Sequence, residues 1–520
     1  MEQADTGRGV GEGEQLGDDR GAIVAGGAAE DRGVSPAVWR FANASRAHAV
    51  VDAGPYFELM REAMLSARQR ILLIGWDFDT RIKIGGGRRW WNLPRKQVPP
   101  ARLGPFMIWL ANRNPDLEVR VLKWNFGAMK AFLRGSMIID LIRWWRHPQI
   151  DFKLDSAHPL GCSHHQKIVV IDDRFAVCGG IDMAGDRWDT REHLEHDARR
   201  RRPNGDLFGP WHDCTMLLEG DVAKVLGDFG RTRWQQAGGT PMAPCVPQDE
   251  SPWPERLRAE FRNVSVGISR TRSQYNNVGE VREIEALFIE QIECAKRFIY
   301  AENQYFASRT IAEAISRRLA QPDPPEIVLV CPVSSDGWLE QAAMDGARVR
   351  LFRSIEDDAH GDRFTIWHPL NSAGTPIYVH SKLLIVDDEI LRIGSANMNN
   401  RSMGLDSECD VFIDCARDEA GSQPCSAAIT RLRHSLLAEH CGLDPTVIPD
   451  LLEKHGSMAA MIAHAPQSGK RLQKFVPRAL TDTEKALADN EVLDPERPEE
   501  MLSFYKRRNL FMGRFLRRPK

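Results

Sequence analysis

A nine-residue pattern occurs twice in this chain of 520 residues, and the repetition narrows the folds that the chain can adopt. The copies read HHQKIVVID at 164–172 and VHSKLLIVD at 379–387. In both, a histidine and a lysine two positions later precede four apolar residues and an aspartate. A short apolar run between polar residues is typical of a buried strand. The sequence therefore predicts two copies of one unit, with 215 positions between His165 and His380.

The segments that precede the two patterns also correspond. Residues 54–69 and 103–114 have the apolar spacing of helices, and strand-like runs follow them at RILLIGWDFD and LEVRVLKW. Residues 279–331 give the same order of helix, strand, helix and strand. In both copies a hairpin with two consecutive aspartates at its turn follows. This alternation predicts an α/β fold of two duplicated α/β/α-sandwich halves, packed pseudo-twofold around one central active-site cleft.

The composition along the chain suggests four segments. Residues 1–34 are rich in Gly, Asp and Glu with few large apolar residues, so they are expected to be disordered. A first half is predicted at 35–250 and a second at 251–450, joined by a linker rich in Pro, Gly and Ser at 236–256. Residues 451–520 form a C-terminal extension that ends in a basic and aromatic tail.

Charge and cysteine content exclude several classes of protein. The formal net charge of -3 gives no overall attraction to nucleic acid. The ten cysteines form no CxxC pair, which argues against a zinc ribbon and a disulfide scaffold and favours a reducing compartment. There is no signal peptide pattern and no apolar run of the ~18 residues that a membrane span needs. A cytoplasmic protein without a metal ion or other cofactor is expected.

The paired histidines and lysines suggest chemistry on a phosphodiester. Residues i and i+2 of a strand share a face, so His165 lies beside Lys167 and His380 beside Lys382. A lysine stabilises negative charge on the phosphate oxygens and lowers the pKa of its neighbouring histidine. If the halves converge, one histidine can attack phosphorus while the other protonates the leaving alcohol. No metal ion is needed for this reaction.

The two patterns resemble the duplicated HxKxxxxD motif of the phospholipase D superfamily. The resemblance runs from about residue 45 to about 440. It is strongest for the eukaryotic-type phospholipase D and cardiolipin synthase-like branch, because further blocks occur in the right order. These blocks are SHHQKIVVIDDRFAVCGGIDMAGDRWDT, PWHD, FIYAENQYF and YVHSKLLIVDDEILRIGSANMNNRSMGLDSE.

The resemblance implies roles for individual residues. His165 is expected to be the nucleophile and His380 the general acid, although the symmetry of the motifs leaves the order open. Glu408 is expected to orient His380, and Asp189 to orient His165. The full catalytic set is His165, Lys167, Asp172, His380, Lys382 and Asp387, and Asn397 matches an amide that contacts phosphate. Asp182 occupies the corresponding place in the first half and receives less weight as a phosphate ligand.

Three features favour a lipid substrate, and each has an alternative explanation. Glu302, Asn303 and Gln304 are expected to line the cleft, unless they only satisfy backbone groups at the end of a sheet. Residues 124–148 resemble an interfacial membrane segment, unless they form a crossover helix packed on the sheet. The tail at 506–520 suits an anionic membrane surface, unless it is a solvated extension.

The sequence therefore predicts hydrolysis of the headgroup phosphodiester of a glycerophospholipid to phosphatidic acid through a phosphohistidine, with possible transfer to another alcohol. One chain carries both motifs, so a monomer is sufficient, and nucleic acid is not expected as a partner. The alternatives are a cardiolipin synthase-like phosphatidyltransferase, a nuclease or other phosphodiesterase with the same two histidines, and a catalytically silent membrane-binding protein. The expected location is the cytoplasm, in peripheral contact with the inner membrane face.

Overall fold

A computed structural model describes residues 35–86, 98–125, 135–334, 338–417, 422–481 and 494–495. The chain divides into Met1–Ser35 and one compact unit, Pro36–Lys520. The segment predicted to be disordered at 1–34 and the basic tail at 506–520 lie outside the described residues. All elements below belong to the second unit.

The first half contains eight strands and four helices among the described residues. The strands are β1 (Arg40–Val51), β2 (Arg70–Gly75), β3 (Glu118–Trp124), β4 (Ile150–Asp155), β5 (Ile168–Ile171), β6 (Phe175–Gly179), β7 (Trp211–His212) and β8 (Cys214–Gly220). The helices are α1 (Ala53–Leu65), α2 (Leu103–Arg113), α3 (Met137–Trp145) and α4 (Asp221–Gln236).

The second half and the C-terminal extension contribute the remaining described elements. The strands are β9 (Phe261–Arg272), β10 (Val281–Arg282), β11 (Phe298–Glu302), β12 (Glu326–Val330), β13 (Phe364–Leu370), β14 (Tyr378–Val379), β15 (Leu383–Val386), β16 (Ile390–Gly394), β17 (Glu408–Asp414) and β18 (Arg471–Lys474). The helices are α5 (Glu283–Glu293), α6 (Arg309–Leu319), α7 (Trp338–Glu356), α8 (Ser422–Cys441), α9 (Ile448–His455) and α10 (Met458–His464).

The two halves share one continuous sheet. Its strand order is β18-β13-β12-β11-β15-β16-β17-β9-β1-β8-β6-β5-β2-β3-β4, with β10 paired to β9. The long strands β1 and β9 are antiparallel neighbours from Arg40↔Ile268 to Ala47↔Phe261. Outward from this central pair, β8-β6-β5-β2-β3-β4 on one arm corresponds to β17-β16-β15-β11-β12-β13 on the other. The predicted duplicated α/β fold is confirmed, and its pseudo-twofold axis passes between β1 and β9.

Helices cover both faces of the sheet, as the alternating strand residues require. Leu72 and Ile74 of β2 pack in the cluster that includes α4 and α8, whereas Ile71 and Leu73 pack in the cluster that includes α1, α2 and α3. Helices α5, α6 and α7 form the corresponding cluster of the second half. Both faces of β5 and β15 are therefore buried, which makes these strands rigid supports for the residues that precede them.

The linker and the C-terminal extension join the same unit. Residues 237–260 connect α4 to β9 without helix or strand. Strand β18 pairs with the edge strand β13, and Met461, Ile462 and Leu472 are buried in the core. The part of the extension that the structure describes thus packs on the second half.

Two further features bear on the expectations from sequence. Cys415 and Cys425, at the end of β17 and in α8, form a disulfide that the scattered cysteine pattern did not predict. Among the described residues, no helix is both long and apolar enough to cross a membrane.

Candidate active site

The two motif histidines lie just before β5 and β15, where the sheet holds them rigidly. Lys167 Nζ donates a hydrogen bond to the carbonyl oxygen of His165 at 2.7 Å, and Lys382 Nζ donates to that of His380 at 2.5 Å. Each lysine therefore folds back over the histidine two positions before it. The strand spacing predicted this arrangement from the sequence.

Two short backbone pairings bring the motifs of the two halves together. In the first, His164 pairs with Ser407, and the next residue, His165, donates its N–H to the Ser407 carbonyl at 2.9 Å. In the second, β14 pairs in parallel with β7, and His380 donates its N–H to the His212 carbonyl at 2.7 Å. Each histidine is thereby attached to the opposite half of the molecule.

Carboxylates of the opposite half contact the histidine rings. His165 Nδ1 lies 3.1 Å from both carboxylate oxygens of Glu408, and His380 Nδ1 lies 2.7 Å from Asp213 Oδ2. Both carboxylates are fully buried. Because Nδ1 of each ring is occupied, Nε2 is the nitrogen left to face a substrate.

The pairing expected from the resemblance is wrong on both counts. Glu408 contacts His165 and not His380, since it directly follows Ser407 in the first backbone pairing. Asp189 contacts His193 Nδ1 at 3.0 Å and the Trp211 N–H at 2.9 Å and makes no described contact with His165. Asp213, the acid that contacts His380, was not among the residues predicted from sequence.

Burial and crowded positive charge control protonation in this site. Burial lowers the pKa of His165 well below its usual value, and Lys167 and Lys382 lower it further. The pKa of His380 is also well below its usual value, first because of burial and then because of Lys382, Arg187, Lys167 and His165. Since each histidine senses the lysine of the other motif, the four residues form one electrostatic unit.

The same burial acts on the charges around the histidines. It lowers the pKa of Lys382 to about 7, raises that of Asp213 to about 7 and raises that of Glu408 to about 8. Additional positive charge in the site therefore costs free energy. Binding of an anion such as a phosphodiester would lower this cost.

This chain is similar in sequence and in fold to known proteins. A family model described as phospholipase D matches residues 345–490. Phospholipase D alpha 1 of Nicotiana tabacum is 25% identical, covering 76% of this chain and 66% of the relative. Phospholipase D alpha 1 of Zea mays is 28% identical, covering 54% of this chain and 49% of the relative. This chain is therefore similar in sequence to phospholipase D proteins.

A solved structure agrees with this fold assignment. The phosphatidylserine synthase of Haemophilus influenzae Rd KW20 superimposes with a TM-score of 0.53 at 14% identity, covering 80% of this chain and 94% of that one. This chain spans just under two thirds of the tobacco relative and about half of the maize one. These similarities concern the sequence and the fold, and the activity of the whole protein is a separate question.

The aspartate that ends each repeated motif binds backbone groups in this structure. Asp172 accepts hydrogen bonds from the backbone N–H groups of residues 68, 69 and 70, at 2.7–2.8 Å. Asp387 accepts from those of residues 296, 297 and 298, at 2.7–2.8 Å. Both lie at the far end of β5 or β15, seven residues and so about 20 Å from their histidines. The prediction that Asp172 and Asp387 are catalytic is wrong, because they bind the segments that lead into β2 and β11.

The three residues expected to bind substrate have different environments. Glu302 is fully buried, with His212 Nε2 2.8 Å and His440 Nε2 3.0 Å from its oxygens. Asn303 is also buried, and its Oδ1 accepts from the Met398 N–H at 3.0 Å. Both satisfy groups inside the protein, and contact of Glu302 and Asn303 with substrate stays a prediction.

Gln304 is the member of this triplet that reaches the motif residues. Its Oε1 accepts from Lys382 Nζ at 3.1 Å, and its Nε2 donates to Tyr305 and Tyr378 hydroxyls at 2.8 and 2.9 Å. The glutamine therefore orients the second lysine. Whether it also contacts substrate stays a prediction.

Asn397 and Asp182 occupy corresponding loops in the two halves. Asp182 Oδ2 lies 3.3 Å from Lys167 Nζ, which makes it a partner of the first lysine. Asn397 is buried, two residues after Ser395, whose carbonyl oxygen lies 3.0 Å from His165 Nδ1. Its Oδ1 has no hydrogen-bond partner among the described residues, and contact of Asn397 with phosphate stays a prediction.

Aromatic residues that the sequence did not suggest also flank the histidines. The Trp76 ring lies 6.2 Å from that of His165, and the Trp211 ring 5.2 Å from that of His380. The Arg187 guanidinium lies 4.4 Å above the Trp211 ring. One signal could have identified the second acid: Asp213-Cys214 and Glu408-Cys409 are acid–cysteine pairs at the starts of the corresponding strands β8 and β17.

Proposed function

We propose that this protein is a phospholipase D-type phosphodiesterase that hydrolyses the headgroup phosphodiester of glycerophospholipids to phosphatidic acid and a free alcohol. The crossed histidine–carboxylate pairs, His165 with Glu408 and His380 with Asp213, carry the proposal. The two imidazoles and the two lysines are close enough to shift one another's pKa values, and a two-step displacement at phosphorus requires such a set. The names of the curated relatives support a phospholipid substrate.

In the first step, His165 Nε2 attacks phosphorus and a P–N bond forms as the P–O bond to the headgroup breaks. Protonated His380 donates its Nε2 proton to the departing alkoxide, which leaves as the alcohol. Asp213 stabilises the imidazolium form of His380 before this transfer, and Glu408 keeps the attacking ring in its Nδ1-protonated tautomer. The lysines stabilise the negative charge on the phosphoryl oxygens.

In the second step, neutral His380 removes a proton from water, whose oxygen attacks phosphorus. The P–N bond breaks, His165 regains its lone pair, and phosphatidic acid is released. An alcohol can replace water in the same geometry, so transfer to alcohols is expected as a side reaction. The assignment of His165 as nucleophile follows the resemblance of the motif.

We also propose peripheral contact with the cytoplasmic face of a membrane. Helix α3 buries Met137, Asp140 and Trp144, and its opposite face exposes large apolar residues. These are Ile138, Ile139, Ile142 and Trp145, the last 82% exposed. Arg143 and Arg146 are exposed beside them. An apolar face bordered by basic residues suits a lipid surface.

Helix α3 also lies close to the proposed catalytic residues. Its Trp144 ring packs on Phe78, with 5.5 Å between ring centroids, and Asp140 accepts a hydrogen bond from Thr80 at 2.9 Å. Phe78 and Thr80 follow Trp76, which flanks His165. Insertion of this helix face into a bilayer would therefore bring the site to the headgroups.

The test is release of headgroup from vesicles of mixed phospholipids, without added divalent cations. Wild type should release it, whereas His165→Ala and His380→Ala should each lower the rate about a thousand-fold or more. His464→Ala, at an exposed position in α10, is the control for a histidine outside the site. A peptide that contains residue 165 and carries a phosphatidyl group on its histidine, trapped by rapid denaturation, would identify the nucleophile.

Product analysis distinguishes the alternatives. Phosphatidic acid in water and phosphatidylethanol with added ethanol support the proposal, while cardiolipin from phosphatidylglycerol would indicate a phosphatidyltransferase. Cleavage of single-stranded DNA without headgroup release would make the protein a nuclease with the same two histidines. An unchanged rate in both histidine variants would contradict the proposed chemistry altogether.

A further inference from the structure

A buried cluster of four residues lies next to His380, whose backbone N–H binds the carbonyl oxygen of one member, His212. The proposed hydrolysis does not use this cluster. Asp52 lies between β1 and α1, His193 in the loop after Asp189, His212 in β7, and Glu439 in α8. Their side chains are at most 4% exposed. One donor atom from each lies within 4.8 Å of the others. We call these residues the four-residue cluster.

Four separations within the four-residue cluster, from 2.9 to 3.6 Å, are close to those between ligands of a tetrahedral metal ion. His212 Nδ1 lies 3.3 Å from Glu439 Oε1 and 3.4 Å from Asp52 Oδ1. His193 Nε2 lies 2.9 Å from Glu439 Oε1 and 3.6 Å from Asp52 Oδ2. Ligands about 2.0–2.1 Å from a zinc ion at tetrahedral angles are about 3.3 Å from one another.

Among the residues that the structure describes, two buried atoms of the four-residue cluster lack a hydrogen-bond partner. They are His212 Nδ1 and Asp52 Oδ2, and both side chains are completely buried. A buried polar atom without a partner marks a position where an ion or a water molecule can bind. A cation at the centre of the cluster would satisfy both atoms at once.

The outer nitrogens of the two imidazoles have the partners that metal-binding histidines need. His193 Nδ1 lies 3.0 Å from Asp189 Oδ2, and His212 Nε2 lies 2.8 Å from Glu302 Oε2. Histidines that bind metal almost always donate the second ring N–H to a carboxylate or carbonyl, which fixes the tautomer. This role accounts for Asp189 and Glu302, which are buried away from the place where the sequence predicted them to act.

We propose that Asp52, His193, His212 and Glu439 bind one zinc ion. Two imidazole nitrogens and two carboxylate oxygens form a ligand set that zinc accepts, and the two carboxylates neutralise its charge. Four protein ligands leave no open position, so the ion is structural and takes no part in the proposed hydrolysis. This site therefore goes beyond the proposed function.

The position of the site indicates that the ion would join two parts of the chain. Three of its ligands belong to the first half, and Glu439 comes from a helix that follows the second half's strands. His212 directly precedes Asp213, which contacts His380. An ion that fixes β7 to α8 would therefore hold Asp213 in place against the second catalytic histidine.

The direct test is the metal content of the full-length protein, made in zinc-supplemented medium and dialysed against EDTA. Inductively coupled plasma mass spectrometry should find about one zinc per chain in wild type. Glu439→Gln and His193→Gln should each lose most of it. His368→Gln is the matched control, since His368 is also buried, contacts the Cys331 carbonyl oxygen at 2.9 Å and is outside the four-residue cluster.

A second measurement uses wild type alone, in case the variants do not fold. Zinc is removed with a chelator in mild denaturant, and the melting temperature is recorded before and after Zn²⁺ is added back. The proposal expects a fall on removal and recovery on addition, and replacement with Co²⁺ should give the strong visible absorption of tetrahedral cobalt. The proposal would be overturned if wild type held no more zinc than Glu439→Gln and its melting temperature did not respond to Zn²⁺. In that case, protonated histidines would balance the charge of the carboxylates. Neither readout depends on headgroup release, so this site and the proposed function can fail separately.

Discussion

At the scale of single residues, each histidine of the proposed mechanism depends on an acid from the opposite half. Glu408 is held by the hydroxyl groups of Ser395 and Ser402, at 2.5 and 2.7 Å, as well as by His165. A carboxylate fixed in this way cannot follow the ring if the ring rotates, so it determines both the orientation and the tautomer of the histidine. The acids are therefore positioning residues, and substrate contacts belong to the imidazoles and the lysines.

The first prediction concerns these acids. Glu408→Gln and Asp213→Asn should each lower kcat by about 10²–10⁴-fold with a smaller effect on KM, because the amide no longer stabilises an imidazolium. Combined with His165→Ala, Glu408→Gln should cause little additional loss, since it acts through that ring. Steady-state kinetics on a soluble short-chain phospholipid measure this. Glu453→Gln on the exposed face of α9 is the control, and full additivity in the double variant would refute the pairing.

The second prediction concerns the motif aspartates. Asp172→Asn and Asp387→Asn should lower the free energy of unfolding by about 1–3 kcal/mol, because an amide offers one oxygen to the three backbone N–H groups that each carboxylate now binds. Denaturant titration gives this value. The turnover of the protein that remains folded should stay near that of wild type. A large loss of kcat without loss of stability would return these aspartates to the catalytic set.

The third prediction follows from the lowered pKa values of His165 and His380. A histidine whose pKa is depressed is neutral at neutral pH, and a bound anion raises that pKa again. Anion binding should therefore take up protons from the buffer near neutral pH. Calorimetric titration with sulfate, which does not itself titrate there, in buffers of different ionisation enthalpy gives the number of protons. Proton release, or the same uptake in His165→Asn, would contradict this electrostatic account.

At the scale of elements, strands with a clear apolar pattern were predictable and short polar pairings were not. Strands β5 and β15 followed from four consecutive apolar residues, and the i, i+2 rule placed Lys167 and Lys382 correctly. Strands β7 and β14 contain two residues each, so no periodicity could identify them. These short pairings determine which acid meets which histidine, and for that reason the sequence led to the wrong partners.

The contacts of the polar residues that follow strand β11 could not be predicted from the sequence either. Glu302, Asn303 and Gln304 have the same composition whether they face a cleft or the protein interior. Their actual contacts depend on His212, His440 and Lys382, which are distant in the sequence. Local sequence patterns thus predicted the strands that carry the site. The hydrogen bonds around it could be identified only from the tertiary structure.

The fourth prediction concerns helix α3 and the membrane. Trp145→Glu with Ile139→Asp should reduce sedimentation with anionic vesicles and lower the rate on vesicles about tenfold or more, since both apolar side chains are exposed for insertion. The rate on monomeric short-chain substrate should be unchanged. Val246→Glu, another exposed apolar residue in the linker, is the matched control. Equal loss on both substrates would mean that α3 supports the fold and does not bind lipid.

At the scale of the whole molecule, the duplication produces two halves that depend on each other. The central pairing of β1 with β9 joins their sheets, and the crossed pairs join their functional residues. A single half would have a histidine without its acid and an unpaired central strand edge, which favours aggregation. The sequence predicted the twofold relation, but only the continuous sheet shows that neither half is complete alone.

The last prediction tests this dependence by cutting the linker in the intact protein. A protease site inserted after Thr240, which is exposed, allows cleavage after purification. The cut protein should elute as one particle in gel filtration and keep most of its activity, because the β1–β9 pairing and the shared core hold the halves together. Separated in denaturant and refolded alone, each fragment should be inactive, and refolding the two together should restore headgroup release. Activity in either fragment alone would have one of two explanations: one histidine–lysine set suffices, or two copies of one half can build a site. In both cases the crossed histidine–carboxylate pairs would not be required for function.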